Sequence, residues 1–368
     1  MRLVVFGLAV SSSWGNGHAT LWRGLIRALT RQGHEVTFFE RDAPWYAETR
    51  DLHDLMDGAE LVLYPDWDKV LPRARAAVAR ADAVIVTSFC PDGPRASDLA
   101  AEEAPGLTVF YDMDTGVTLQ RLAAGESVEY LPPQGLGDFD LVLSYTGGRA
   151  LDLLRTRLGA LRVAPLYGHV DPEAHRPGTP DPAFRGDLSY LGTYAADRQD
   201  ALDALFLAPA RARPDSRFVL AGAGYPKDFP WTDNLYFVKH LPPADHPAFF
   251  ASSRLTLNVT REPMAAMGFC PSGRLFEAAA CGIPVLSDTW DGLDHFFTPG
   301  EEILVAATTE EALAALDRPD ADLSRIAQAA RDRTLTQHSS DARARELVAL
   351  LGGVIPHRQH EETVACGE

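Results

Sequence analysis

The sequence predicts an α/β protein made of two doubly wound, Rossmann-like domains, each built on a parallel sheet. Three observations predict it. Short apolar runs alternate with stretches of helical period, the pattern of a parallel sheet covered by helices on both faces. The alternation stops between about residues 165 and 185, where Pro, Asp, His and Gly crowd together, and then restarts. In each half a glycine-bearing loop, at residues 11–18 and 222–224, comes after a strand. At 368 residues the chain has room for two cores. It divides into residues 1–168, residues 169–335, and a closing helix with a flexible tail over residues 336–368.

The first strand is Arg2-Leu3-Val4-Val5-Phe6-Gly7. A helix over about residues 19–31 carries Leu21, Leu25, Ala28 and Leu29 at helical spacing, and Gly33 stops it before the strand Val36-Thr37-Phe38-Phe39. Further strands are read at residues 61–64, 83–86, 107–111 and 141–144, with an alanine-rich helix over residues 73–80. After the linker come strands at residues 188–192, 218–221, 236–238, 255–259 and 285–287, and helices at about 197–206 and 274–281. The last helix is read at about residues 341–351, and the tail after Gly352 as mobile.

A formal net charge of −17 opposes binding to nucleic acid or anionic lipid. No apolar run approaches the roughly 18 residues of a membrane helix. With no signal-like start, the expectation is a soluble, cytoplasmic protein. Cys90, Cys270, Cys281 and Cys366 lack zinc or disulfide spacing, so reduced thiols are expected, and the sequon at Asn258-Val259-Thr260 has no evident use.

In the first half, Ser13, Trp14, Gly15, Asn16 and Gly17 form a small-residue loop at the head of a helix, where open backbone N–H groups suit polar ligands. The G-x-G is incomplete as a dinucleotide fingerprint, because Thr20 stands where a third glycine or alanine belongs. His18 is placed to accept a proton from a hydroxyl, or else merely bonds to the turn. Asp112 and Asp114 follow a strong strand. Either can orient a histidine, and Asp114 can instead cap the next helix. D-x-D with no histidine or glutamate cluster beside it argues against a metal. Trp14, Trp45, Tyr46 and Phe89 are candidates for an apolar acceptor pocket or for core.

In the second half, Gly222 and Gly224 offer backbone to a phosphate, with Arg198, Lys227, Arg261 and Arg274 as cations at strand-end loops. Ser272 and Gly273 begin a helix that places Arg274 in its first turn and Glu277 one turn on. The helix start attracts phosphate, and Glu277 can receive both hydroxyls of a ribose. The plainer alternative is a packed helix with an internal Arg274–Glu277 salt bridge.

Two stretches carry a family resemblance: Gly15-Asn16-Gly17-His18 with Arg31-Gln32-Gly33-His34-Glu35-Val36, and the more specific Arg274-Leu275-Phe276-Glu277-Ala278-Ala279-Ala280-Cys281-Gly282-Ile283-Pro284-Val285. Together they resemble GT-B fold glycosyltransferases. Residues 258–261, 268–272 and 287–293 are more narrowly similar to the CgeB-like group. The resemblance implies two Rossmann-like domains with sheets facing a central cleft, the first taking the acceptor and the second a nucleoside diphosphate sugar such as a UDP-, dTDP- or GDP-sugar. It implies a small-molecule or glycan acceptor and no bound metal or other cofactor. It further implies that Glu277 holds the ribose, that Arg198, Gly222, Gly224 and Arg274 lie near the diphosphate, and that His240 and Leu241 sit by the base. Many retaining relatives carry a second glutamate eight positions before the ribose one. Here that position is Phe269, which leaves retention or inversion open, and Gly116 replaces a proline expected in the narrower group. An epimerase of the same architecture and a non-catalytic nucleotide or carbohydrate binder are the competing readings. A nicotinamide dehydrogenase fits less well, since only Glu40 loosely matches its ribose-binding acid.

Overall fold

The computed structural model describes residues 1–55, 58–354 and 356. It divides into two compact units: Met1–Tyr167 with the chain from Arg343 onward, and Gly168–Ala342. The tail expected to be flexible lies almost wholly outside the described residues.

The first unit has a seven-stranded sheet. In chain order its strands are β1 (Arg2–Gly7), β2 (Glu35–Arg41), β3 (Ala59–Tyr64), β4 (Ala83–Thr87), β5 (Leu107–Asp112), β6 (Leu141–Ser144) and β7 (Val163–Pro165). Their spatial order is β3-β2-β1-β4-β5-β6-β7, and every pairing is parallel. Alternate β1 residues face opposite layers. Val4 and Phe6 join Phe39, Trp67, Val86, Phe110 and Phe139 in one core cluster, with the Phe6 and Phe39 rings 4.8 Å apart. On the other face, Trp22 of the Gly17–Arg31 helix meets Phe38 at 5.6 Å and Tyr111 at 6.3 Å. Each large apolar side chain wholly buried in this way contributes about 2–3 kcal/mol. The last position of β1 is glycine, Gly7, where a Cβ would lie 2.5 Å from the Phe38 ring.

The second unit repeats the plan with β8 (Gly186–Leu191), β9 (Phe218–Ala221), β10 (Leu235–Val238), β11 (Ser253–Asn258), β12 (Val285–Ser287) and β13 (Leu304–Val305). Its order, β10-β9-β8-β11-β12-β13, is again all parallel. Leu188, Tyr190, Phe206, Phe218, Leu255, Leu257 and Leu286 lie in its core cluster. In each sheet the chain reverses direction of travel beside the first strand, at β1/β4 and at β8/β11. In open parallel sheets ligands bind beyond the carboxyl ends of strands at such a switch point.

Three local expectations change. The stretch read as a linker is ordered within the second unit: Val170 bridges Ser339, Asp171 turns the chain into His175, and a short 3₁₀ helix spans Pro182–Phe184. Its prolines lie mostly at the surface, while His169, Val170, Asp171 and His175 are buried and tie the stretch down. The helix expected to end near Phe206 continues through a π turn, Asp203–Leu207, to Ala212. Pro209 has no N–H to return to the preceding turn, and the helix widens there instead of stopping. The helix expected at residues 73–80 starts earlier, as Trp67–Val78, because the Asp66 carboxylate caps it by accepting from the Lys69 N–H at 3.0 Å.

Candidate functional site

Each unit presents a cluster of chemistry-bearing side chains at the carboxyl end of its sheet. In the first unit the loop after β1 is tied down by Glu40, read from sequence only as a loose match to a ribose-binding acid, and by Asp51 and Arg23, which sequence reading passed over. Glu40, wholly buried at the end of β2, accepts from the backbone of Val10 and Ser11 at 2.7 and 2.9 Å and from the Ser11 hydroxyl at 2.5 Å. It is therefore a loop anchor and not a ribose ligand. Asp51 accepts from Ser13 and from both terminal nitrogens of Arg23. Asn16 caps the Gly17–Arg31 helix: its amide oxygen accepts from the His18 N–H, and its nitrogen donates to the carbonyls of Ala9 and Ser12. Gly15 takes a left-handed φ of 60°, and nothing lies within 4 Å of where its Cβ or that of Gly17 would stand.

This anchoring sets the pose of His18. Its Nε2 lies 2.8 Å from Oδ2 of Asp114, and the Ser88 hydroxyl donates to the same oxygen at 3.3 Å. Asp114 stands at the N-cap of the Thr115–Ala123 helix, yet its side chain makes no capping bond. The carboxylate is spent on the histidine, so of the two sequence readings of Asp114 the geometry forms the His–Asp pair. The other ring nitrogen, Nδ1, is shielded from solvent and has no hydrogen-bond partner among the described residues. Phe89, held at a strained φ of 58°, brings its ring to 6.2 Å from the imidazole. Asp112 is buried behind the pair, with one oxygen accepting from the Asp114 N–H at 2.9 Å. Burial first, then the Asp114 charge, raises its carboxyl to about 7. The two aspartates thus divide: Asp114 holds histidine, while Asp112 shapes the loop and resists ionising. Of the aromatic candidates, Trp45 is exposed and Tyr46 and Trp14 are partly so.

In the second unit the helix Gly273–Cys281 forms as its sequence predicts. The Ser272 hydroxyl accepts from the Arg274 N–H, and Gly282 closes the helix in the left-handed conformation. Glu277 is almost wholly buried and takes a 2.7 Å hydrogen bond from Arg274. The internal salt bridge is formed, and it keeps an anion ready in a dry place. Burial, the largest single influence, pushes this carboxyl up, but the Arg274 guanidinium with its hydrogen bond, together with His175 and His246, outweighs it and holds the group down at about 2.

The other cations and glycines differ in what they leave open. Arg261 is paired with Asp197 through Nε and Nη2 at 2.9 and 2.6 Å, and Arg198 donates to the Thr193 carbonyl at 3.1 Å. Gly222 is a packing necessity: a Cβ there would fall 1.9 Å from the Gly192 carbonyl oxygen, and its own N–H donates to Val238. Gly224, with φ of 82°, has only ordinary clearance around it. Leu241 buries its side chain while its carbonyl receives His246, and His240 beside it is half-buried. Phe269 also sits at a left-handed φ, 47°, with its ring over the bare Cα of Gly292.

Sequence reading expected no cluster of metal-ligand type. The structure brings His175, His246 and Glu277 together, one ligand atom of each within 4.8 Å of the others. Two imidazoles and a carboxylate are a donor set that a divalent metal accepts. Here the imidazole nitrogens stand 3.0 Å apart, a hydrogen-bond distance, and Arg274 already neutralises the carboxylate. The signal for His175 was hidden in the stretch taken as linker. Cys90, Cys270 and Cys281 are free and buried, with burial pushing Cys90 and Cys281 up to about 12; Cys366 lies outside the described residues. Among the described residues no helix is long and apolar enough to cross a membrane.

Residues 198–349 match the family described as glycosyl transferase-like. No curated protein matches the chain. Among solved structures, sucrose-phosphate synthase from Thermosynechococcus elongatus is 15% identical, with a TM-score of 0.70, over 99% of this chain and 100% of that one. Anabaena HepE in complex with UDP and glucose is 12% identical, with a TM-score of 0.65, over 96% and 99%. An alpha-glucosyltransferase in complex with UDP and a 13-mer DNA is 12% identical, with a TM-score of 0.68, over 96% and 99%. The shared architecture is GT-B: two Rossmann-like units, each on a parallel sheet.

Proposed function

We propose that the protein is a glycosyltransferase that moves a sugar from a nucleoside diphosphate sugar to a hydroxyl-bearing acceptor, within or near the CgeB-like group. One observation carries the proposal: a buried carboxylate, Glu277, hydrogen-bonded by Arg274 and held ionised, one turn into a helix that packs against β11, a strand of the switch point in the second sheet. A nucleotide supplies what that arrangement lacks, two ribose hydroxyls for the carboxylate and a diphosphate for the guanidinium and the helix start. The glycosyl transferase-like match over residues 198–349 supports the same reading, as do the similar solved structures that are complexes with UDP.

In this reading Arg198, Gly224, Arg261, Ser272, Gly273 and Arg274 surround the diphosphate, with Gly222 closing the strand end behind them. His240 and Leu241 flank the base. Leaving-group charge is stabilised by arginine and helix N-terminus, so no metal is needed. In the first unit Ser13, Trp14, Gly15, Asn16 and Gly17 border the acceptor. If the reaction inverts, His18, oriented by Asp114, takes the proton of the attacking hydroxyl through Nδ1; if it retains, the pair instead positions the acceptor and the sugar. The net charge of −17 favours a sugar or small-molecule acceptor over nucleic acid.

The test is a screen of UDP-, GDP- and dTDP-sugars by thermal shift, followed by transfer assays with the sugars that bind. No stabilisation of folded protein by any nucleoside diphosphate overturns the proposal. The shielding of His18 Nδ1 favours a second reading, a nucleotide-sugar binder that transfers nothing. Binding without turnover across a broad acceptor panel selects it.

A further inference from the structure

His175 and His246 come from different segments, the ordered stretch before β8 and the start of the His246–Ala251 helix, and both are buried against Glu277. Nε2 of His175 is 3.0 Å from Nδ1 of His246, and Nε2 of His246 is 3.4 Å from the Leu241 carbonyl oxygen. The two carboxylate oxygens of Glu277 lie alongside, one 3.9 Å from His175 Nε2 and the other 3.9 Å from His246 Nδ1. Burial, the largest influence, pulls both imidazoles below their ordinary range, His246 to about 3. Each ring is therefore neutral with one N–H to place.

Only one arrangement fits these contacts. A carbonyl can only accept, so His246 carries its proton on Nε2 and donates to Leu241. That leaves a lone pair on His246 Nδ1, which must receive the Nε2 proton of His175. His175 Nδ1 is then a bare lone pair, and it has no partner among the described residues. The bonds run in one direction, from His175 through His246 to the Leu241 backbone, with Glu277 against their flank.

We propose that His175 and His246 are positioning residues for nucleotide recognition, a directional hydrogen-bond chain that holds the loop of His240 and Leu241 in fixed register with the ribose-binding carboxylate of Glu277. The proposal rests on the nucleotide site proposed above. It separates two functions of that site: Arg274 keeps Glu277 charged, and the two histidines keep it in place beside the base loop. A chain without this brace still binds phosphate at the helix start but meets the ribose hydroxyls poorly.

The test compares wild type with H246F, which removes both bonds, and H246Q, which restores a donor toward Leu241. Folding is checked by circular dichroism and melting temperature. The probes are UDP and GDP against their 2′-deoxy forms, by calorimetry. Wild type is expected to prefer the ribo form by about 10-fold, the worth of one hydrogen bond to a charged group. H246F is expected to lose most of that preference while its affinity for the deoxy form changes little, and H246Q to regain part of it. A merely structural role weakens both forms alike and leaves the ratio unchanged. An unchanged ratio in folded H246F overturns the proposal, as does stoichiometric metal in the purified wild type by elemental analysis. Wild type that binds neither nucleotide overturns the reading of the site itself, and this proposal with it.

Discussion

Nε2 of His18 and Oδ2 of Asp114 meet at 2.8 Å across 96 residues of sequence, joining the helix that follows β1 to the loop that follows β5. With its Nε2 held by a carboxylate, the ring is oriented and any imidazolium that forms is stabilised, the arrangement that activates a hydroxyl. His18→Ala is expected to lower kcat by about 10²–10⁴-fold, the usual contribution of a general base. Asp114→Asn should lower it less, with the fold retained. Neither should alter the affinity for a nucleoside diphosphate, whose proposed site is in the second unit. Steady-state kinetics with calorimetry check this, and equal loss of binding and turnover in His18→Ala contradicts it.

Glu277→Gln keeps shape and removes charge. In the proposed site Gln still offers an oxygen to one ribose hydroxyl, so the loss is that of about one hydrogen bond to a charged group, about 1.5–3 kcal/mol, and nucleoside diphosphate affinity should fall by about 10- to 150-fold. The substitution also frees Arg274 from its 2.7 Å partner, and inorganic pyrophosphate should bind at least as well as before. Competition binding with the two probes measures the contrast. Parallel losses for both place Glu277 in the core and not in the site.

Asp112 makes a pH-dependent prediction in the first unit. Its folded pKa of about 7 stands above its ordinary 3.8, from burial and the neighbouring Asp114 charge. The folded state therefore holds this proton more tightly than the unfolded chain. Nothing is lost below about pH 4; stability then falls as pH rises through 7. Asp112→Asn carries no such charge, so its stability relative to wild type should rise by about 2–4 kcal/mol between pH 4 and pH 8. Urea unfolding at the two pH values decides, and a constant difference refutes it.

The sheets were legible because parallel strands are buried on both faces and read as apolar runs, as Val4-Val5-Phe6 and Val84-Ile85-Val86 do. The helix of Glu277 was legible for a different reason: Ser272 and Gly282 are local signals, readable without knowing the fold. Pairings across long sequence separations left no such trace. Nothing near Glu40 says that its carboxylate will receive the Val10 and Ser11 amides, and nothing near His175 says that it will meet His246 71 residues on. For Asp114 the local rule pointed to a helix cap, and a tertiary partner outcompeted it.

The second unit should answer acid in the opposite sense to Asp112. His246 is depressed from its ordinary 6.5 to about 3 by burial, so the unfolded chain takes up a proton that the folded ring refuses. Its contribution to stability is complete above pH 6.5 and is lost as pH falls toward 3. The slope can reach about 1.4 kcal/mol per pH unit for one such group. H246Q cannot titrate, so its stability relative to wild type should improve steadily from pH 7 to pH 5, even if it begins lower for loss of the His175 bond. Glu277, held near 2, is ionised over this whole range in the folded state and adds little to the difference. Unfolding curves at pH 7, 6 and 5 provide the measurement, and parallel pH profiles for the two proteins mean that the imidazole is charged in the fold and that the neutral chain to Leu241 does not exist.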